Sequence, residues 1–359
     1  MMKSKGYKQL LKLLWPLALV YAFFVEIYKL LYKWGYLQSK RFEVATIVVG
    51  NLSIGGTGKT PHVEYIVQHL GHYHNLAVLS RGYGRKSKGF LQINWEDSAE
   101  LSGDEPLQMA KKFPDIPFYV SENRCKGLEQ IVRINPHTQL VILDDAMQHF
   151  QLRADFYILL TTYQQPFFSD LPLPAGNLRE FAFNSERAQI IVVTKCPETI
   201  DQEDAKQWIR KIQPRKGQRV FFSTMIYGNP YNQAGDYIDK EQLGNKQVLL
   251  VSGIAEDRVL YDYLRSRVSY LEHLSWKDHQ HYDKNKIDLI ENSWNKFKEN
   301  HSHPILLTTE KDAVKWQNTN LEYFILPIHV DICFNEASSF QRALIEVMYQ
   351  KKGYPSSIL

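Results

Sequence analysis

Residues 41–70, "RFEVATIVVGNLSIGGTGKTPHVEYIVQHL", constrain this chain more than any other stretch. "ATIVVG" is a short, uncharged, β-branched run of the kind that forms a buried parallel strand. A glycine-rich loop follows, and from Lys59 apolar residues recur at Val63, Ile66, Val67 and Leu70 with helical spacing. Strand, glycine loop and helix in that order are what a phosphate-binding loop requires. The loop Ser53-Ile54-Gly55-Gly56-Thr57-Gly58-Lys59-Thr60 matches G-x-x-x-x-G-K-[ST] except at its first position, where Ser53 replaces glycine. Gly55, Gly56 and Gly58 let backbone N–H groups turn toward a phosphate without Cβ clashes. The helix start adds partial positive charge. Lys59 reaches β- and γ-phosphates, and the Thr60 hydroxyl suits Mg²⁺. Ser53 costs little provided that its φ is negative.

A nucleotide–metal site of this kind needs an acid on a neighbouring strand. "QLVILDDAMQH" supplies Asp144 and Asp145 at the carboxyl end of an apolar strand, where open α/β sheets bind ligands. "AVLSRGYGRKSKGF" ends another strand in Arg81 and Arg85, either an anion-binding pair or a solvated basic loop. In "SGDEPLQMA", Asp104 and Glu105 open a helix and read either as capping acids or as a general base. In "SDLPLPAGNLREF", prolines and glycine frame Arg179 and Glu180; such a loop can hold an arginine against a transferring phosphoryl group. "AQIIVVTKCPE" has Pro197 where a guanine-reading aspartate would stand, which argues against a GTPase.

The first 41 residues carry eight Lys or Arg against one acid, Glu26, and the rest of the chain is mildly acidic. That asymmetry excludes a uniformly basic nucleic-acid binder and suits a membrane-surface anchor. "LLWPLALVYAFFV" has thirteen uncharged residues, short for a simple spanning helix. Leu17, Val20, Tyr21, Phe24, Ile27, Tyr28 and Leu31 form one helix face, with nine aromatics in the segment. Three scattered cysteines fit a reducing compartment.

After "IQPRKGQ" the pattern restarts with "RVFFSTMIY", "KQVLLVSGIAEDRVLYDYL" and "HPILLTTEKDAVKW". The expected fold is therefore α/β. A P-loop NTPase-like parallel sheet is flanked by helices, with a second, smaller α/β unit and an N-terminal amphipathic membrane helix. The expected boundaries are 1–38, 39–214 and 215–359, with the active cleft between the two halves. "HLGHYH" (His69, His72, His74) reads as a helix end, and "TEKDAVKW" as a charged strand-to-helix cap.

Taken together, "VGNLSIGGTGKTP", "LSRGYGR", "GDEP", "LDDAMQH", "LPAGNLRE", "VVTKCP", "DHQHY" and "LLTTEKDAVKW" resemble the tetraacyldisaccharide 4′-kinase family of lipid A biosynthesis over nearly the whole chain. In that family the phosphate loop also begins with serine. The resemblance implies an ATP- and Mg²⁺-dependent kinase of a membrane glycolipid. It would phosphorylate the 4′-hydroxyl of tetraacyldisaccharide 1-phosphate to give lipid IVA. Its place would be the cytoplasmic face of the inner membrane, peripheral or monotopic. No nucleic-acid or protein partner is indicated. Asp104 matches the family's proposed general base and His279 its supporting histidine. Asp144 and Asp145 match the metal pair, and Arg179 and Glu180 the active-site pair. Ala146-Met147 stand where the family has Gly-Phe, and Gln280 where it has a second histidine, so His279 or His281 can face the site. The alternative reading is a membrane-attached P-loop ATPase that acts as a switch or partition motor.

Overall fold

The structure is a computed structural model that describes residues 13–72, 75–255, 257–316 and 319–351. The first twelve residues of the basic N-terminal segment and His74 lie outside the described residues. In chain order the elements used below begin with α1 (Trp15–Lys33), β1 (Ala45–Asn51), α2 (Lys59–Leu70), β2 (Leu76–Ser80), α3 (Asp104–Lys112) and β3 (Phe118–Val120). Next come α4 (Arg124–Ile134), β4 (Leu140–Asp144), β5 (Phe156–Thr162), β6 (Ile190–Thr194), α5 (Gln202–Ile212) and β7 (Arg219–Tyr227). The last are β8 (Gln247–Ser252), α6 (Asp257–Arg265), β9 (Tyr270–Ser275), α7 (Lys284–Asn300), β10 (Pro304–Thr309), α8 (Glu310–Ala313), β11 (Phe324–Leu326) and α9 (Ala337–Lys351).

Two compact units divide the chain. The first comprises Met1–Arg81, Ile116–Met225 and Val330–Leu359, and the second Gly82–Asp115 and Ile226–His329. This differs from the expected contiguous split after residue 214. The strand "RVFFSTMIY" adds to the first sheet, because β7 pairs in parallel with β6 from Ile190↔Arg219 to Val193↔Phe222. The segment that carries Asp104 belongs to the second unit, since α3 packs with α8. Packing across long sequence separations decides both points, and hydrophobic periodicity carries no information about it.

In the first unit the strands run β7-β6-β5-β1-β4-β2-β3, and each of these neighbouring pairs is parallel. Every residue of β1, β2, β4 and β6 is buried, as expected of strands covered on both faces. Central β1 lies between β4 and β5, and its register sets Val49 opposite Asp144. In the second unit the parallel strands run β9-β8-β10-β11. Leu249, Val251 and Leu306 cover one side of this sheet with Ile290, Trp294 and Phe297 of α7. Val248, Leu250 and Leu307 pack on the other side with Leu260 and Leu264 of α6.

Helix α1 docks on the first unit by a narrow face. Ala18 and Ala22 are its buried residues, whereas Trp15, Leu17, Val20, Phe23 and Phe24 are exposed, Phe24 by 64%. Tyr21 Oη donates to the Arg179 carbonyl at 3.1 Å, Asn184 bonds to both Glu26 and Lys29, and Tyr28 and Tyr32 pack on Phe150. Much of the apolar stripe read from the sequence therefore points away from the protein.

One backbone approach constrains the centre of the sheet. A Cβ on Gly50 would stand 2.8 Å from Met147 Cβ and 3.3 Å from its backbone nitrogen, so β1 can pass that turn only as glycine. Gly50→Ala is expected to destabilise the fold by about 1–3 kcal/mol through overpacking, read as a lowered Tm. An unchanged Tm would show that the Met147 turn yields freely.

Candidate active site

The phosphate loop leaves β1 at Asn51 and enters α2 at Lys59. Gly55 and Gly58 have φ of +113° and +82°, so glycine is required at both, whereas Ser53 is absent from the positive-φ positions and fits without strain. The Thr194 hydroxyl donates to the Thr57 carbonyl at 2.9 Å, and Lys195 Nζ donates to the Gly56 carbonyl at 2.6 Å. His62 Nδ1 lies 2.7 Å from the Gly58 carbonyl and Nε2 2.9 Å from Ser223 Oγ. A carbonyl only accepts, so Nδ1 carries the proton and Nε2 accepts from Ser223. Burial pushes the His62 pKa down to about 4, so this brace stays neutral near physiological pH. The carbonyls of the loop are thus held from behind by β6, β7 and α2.

Parallel pairing of β4 with β1 delivers the two acids beside this loop, and the Asp145 amide donates to the Val49 carbonyl at 3.0 Å. Asp145 itself is left-handed, with φ of +46°, a conformation that costs a non-glycine residue energy and must be held by its surroundings. Arg124, at the start of α4 and buried, supplies that hold. Its guanidinium donates to the carbonyls of Asp144 and Asp145 at 3.1 Å each and to that of Ser121 at 3.1 Å. Ser80, at the end of β2, donates to Asp144 Oδ2 at 3.1 Å. Lys59 Nζ stands 3.8 Å from Asp145 Oδ2 and 3.4 Å from Asn51 Oδ1.

Arg179 reaches the same acid. Its backbone pairs with the loop entry, since its amide donates to the Leu52 carbonyl at 2.7 Å while the Ile54 amide donates to Asn177 at 2.8 Å. Its guanidinium donates to Asp145 Oδ1 at 3.0 Å and to Gln148 Oε1 at 3.1 Å. Burial would raise the Asp145 pKa, but Lys59, Arg179 and Arg124 outweigh it and hold the carboxyl below its usual range. Glu180 is placed differently from its neighbour. It is fully buried and takes two bonds from Arg187 and one from Gln148 Nε2 at 2.9 Å. It therefore anchors the loop from below.

The second unit holds its own cluster. Gly103, with φ of +94°, starts α3, and Asp104 is the first residue of that helix. His279 Nδ1 lies 3.2 Å from Asp104 Oδ2, and Tyr83 packs on the ring. His279 has φ of +56°, while His281 is exposed and stands 3.5 Å from Glu100, so His279 is the histidine that meets Asp104. Lys311 Nζ contacts Asp278 at 2.8 Å, Glu105 at 3.1 Å and His279 Nε2 at 3.4 Å. Burial raises the Asp104 carboxyl, but the His279 hydrogen bond and the charges of Lys315 and Lys311 bring it below its ordinary value. The Asp104 bond in turn raises the His279 pKa.

Several residues here escape the sequence reading. Gln148 sits within a quoted motif with no signal of its own beyond position. Arg124 and Arg187 look like surface charges. Lys311 and Lys315 look like a helix cap, and Thr309 does cap Asp312. Arg85 turns inward on its own loop, donating to Ser87 at 3.1 Å and to Gly89 at 2.5 Å. Ala146 and Met147 are both buried, with Met147 filling the space over Gly50.

A glycine loop at a strand–helix junction, a lysine and threonine at the helix start and two acids on the adjacent strand end define a P-loop phosphotransferase. A family profile described as tetraacyldisaccharide-1-P 4′-kinase matches residues 10–349. The tetraacyldisaccharide 4′-kinase of Bacteroides thetaiotaomicron is 38% identical over 352 residues, covering 93% of this chain and 92% of that protein. That of Flavobacterium psychrophilum is 39% identical over 342 residues, covering 93% and 96%. A crystal structure of LpxK from Aquifex aeolicus, described as an "apo" form in complex with ATP, superposes with a TM-score of 0.74 at 29% identity, covering 95% of this chain and 100% of that one. The chain belongs to the tetraacyldisaccharide-1-P 4′-kinase family.

Removing one partner of the Glu180 cluster should be costly. Arg187→Ala leaves a fully buried carboxylate short of its cation and is expected to lower stability by about 3–5 kcal/mol in denaturant unfolding. A loss under about 1 kcal/mol would mean that Gln148 alone satisfies Glu180.

Proposed function

We propose that this chain transfers the γ-phosphoryl group of ATP to the 4′-hydroxyl of a tetraacylated glucosamine disaccharide 1-phosphate, giving lipid IVA. The observation that carries the reading is the juxtaposition of Lys59 and Thr60 with Asp144 and Asp145 on paired strands, in a chain of this family. The amides of residues 53–60 and Lys59 bind the phosphates. Lys59 and Arg179 meet the negative charge on the transferred group. The sugar hydroxyl is a weak nucleophile, and Asp104 takes its proton as the oxygen–phosphorus bond forms and the bond to ADP breaks. Asp104 Oδ2 is occupied by His279, whereas Oδ1 accepts no hydrogen bond among the described residues, so Oδ1 is the accepting oxygen. His279 orients Asp104, and Glu180 positions the loop that carries Arg179.

Thr60, Asp144 and Asp145 offer oxygen donors only. That set suits Mg²⁺, which binds through one or two carboxylates and completes its shell with phosphate oxygens and water. Among the described residues no group of three or more His, Cys, Asp or Glu forms an all-protein cage. When bound, the ion neutralises charge on the phosphates. Arg179 and Lys59 both engage Asp145, so they set how much of its charge is left for a cation.

The acceptor is lipid-borne, and α1 suits that location. The helix has 19 residues, is long and apolar enough by composition to cross a membrane, and keeps its large apolar side chains outside the protein. With the basic residues that flank it in sequence, it rests at the cytoplasmic face of the inner membrane, as a peripheral or monotopic anchor. A partition motor or switch would use the same phosphate loop, but it has no use for a proton acceptor such as Asp104.

Incubation with ATP, Mg²⁺ and the disaccharide 1-phosphate is expected to yield ADP and a lipid gaining one phosphate; ADP and free phosphate without lipid product would favour the switch. Asp104→Asn should still bind ATP and lose about 10²–10⁴-fold in turnover, and retained turnover would remove Asp104 as the base. A chain lacking residues 1–36 should remain in the supernatant when anionic phospholipid vesicles are pelleted, and pelleting as before would place the anchor elsewhere.

A further inference from the structure

We propose that Lys315 is a positioning residue for the phosphoryl-transfer reaction, clamped by Asp312 so that its ammonium group holds Asp104 ionised and fixes which carboxylate oxygen receives the proton. The inference rests on the reading of Asp104 as the proton acceptor and deepens it.

The clamp is built from the strand-to-helix turn after β10. Asp312 is fully buried. One of its oxygens accepts from the Gly253 amide at 2.9 Å and the Thr309 hydroxyl at 2.8 Å, and the other accepts from Tyr282 Oη at 3.1 Å. Three neutral donors from three segments fix this carboxylate in one pose. Lys315 Nζ lies 3.1 Å from Asp312 Oδ1 and 5.3 Å from the centre of the Tyr282 ring, with the side chain 7% exposed. An ammonium group between a fixed carboxylate and a ring face has little freedom left. It nevertheless stands 3.6 Å from a second carboxylate oxygen, Asp104 Oδ2. A structural ion pair needs only Asp312; the shared placement puts a buried positive charge beside the proton acceptor.

Two consequences follow from Coulomb's law at this range. The charge favours ionised Asp104, opposing the burial that raises its carboxyl. Its nearest approach is to Oδ2, the oxygen that His279 Nδ1 bonds, so both positive groups lie toward that oxygen and Oδ1 is left for the proton. The charged and titratable groups around Asp104 are His279 and Lys311 from their respective loop and helix and Lys315 itself. Asp278 and Glu105 in turn face Lys311, at 2.8 and 3.1 Å. Lys311 is therefore neutralised largely by its own two acids. Among the described residues Lys315 pairs otherwise with Asp312 alone, which leaves it the principal fixed charge on Asp104.

The test is the pH dependence of the single-turnover rate with ATP, Mg²⁺ and the disaccharide 1-phosphate. In the wild type the Asp104 carboxyl is held below its ordinary range, because the His279 hydrogen bond and the lysine charges outweigh burial, so its acid limb lies low. In Lys315→Met the limb is expected to move up by roughly one pH unit or more, since the opposing burial is then less balanced. The KM for ATP should stay within about twofold, and Lys315→Arg should return the limb toward the wild-type position. If Lys315→Met does not fold, Lys315→Gln, which removes the charge but keeps a polar end beside Asp312, carries the same comparison. A folded Lys315→Met or Lys315→Gln with the wild-type acid limb overturns the proposal, whatever its absolute rate. Asp104→Asn with undiminished turnover overturns instead the reading on which it rests, so the two failures are distinct.

Discussion

The parallel pairing of β1 with β4 is the constraint on which the nucleotide site depends. Its register sets Val49 opposite Asp144, and the next residues on either strand are the phosphate loop and the acid turn. Because both strands run the same way, both loops emerge at their carboxyl ends, where helix starts and backbone amides concentrate positive potential. Antiparallel pairing would send the two to opposite edges. Gly50 contributes at the same place, since only glycine lets the strand pass under the Met147 turn.

Charge is arranged around that geometry in two ways. In the first unit Asp145 lies among Lys59, Arg179 and Arg124, and the strained backbone of the acid turn is held by Arg124 through carbonyls. In the second unit Asp104 lies beside His279 and Lys315, which in turn stand near Asp278 and Asp312. Both carboxyls are held below their ordinary range against burial, one beside the phosphate loop and one at the start of α3. The physical device is the same, a carboxylate partly removed from water with preorganised cations next to it.

The motifs were legible because they are local. A strand followed by a glycine loop and a helix announces itself in residues 41–70, and Asp144-Asp145 after four apolar residues announces a strand end. Lys59 and Thr60 need only their position at the helix start. Arg124 was not legible: it lies 20 residues before Asp144, with the charge and spacing of any surface arginine. Glu180 shows the opposite limit. Beside Arg179 in sequence it reads as half of an active pair, yet the chain turns so that Arg179 faces Asp145 while Glu180 goes under the loop to Arg187. The place of β7 was not legible for a similar reason, because strand pairing, not composition, assigns it to the first sheet.

By itself, then, the sequence determined the class of the fold, the phosphate loop, the acid pair and an amphipathic N-terminal helix, since each is written in the spacing of neighbouring residues. Tertiary structure alone decided that His279 and not His281 meets Asp104, that α1 docks by Ala18 and Ala22 and leaves its larger apolar side chains outside, and that Lys315 is shared between two carboxylates. Those are contacts between segments distant along the chain. Their energies depend on distance and burial, which no local pattern of residues encodes.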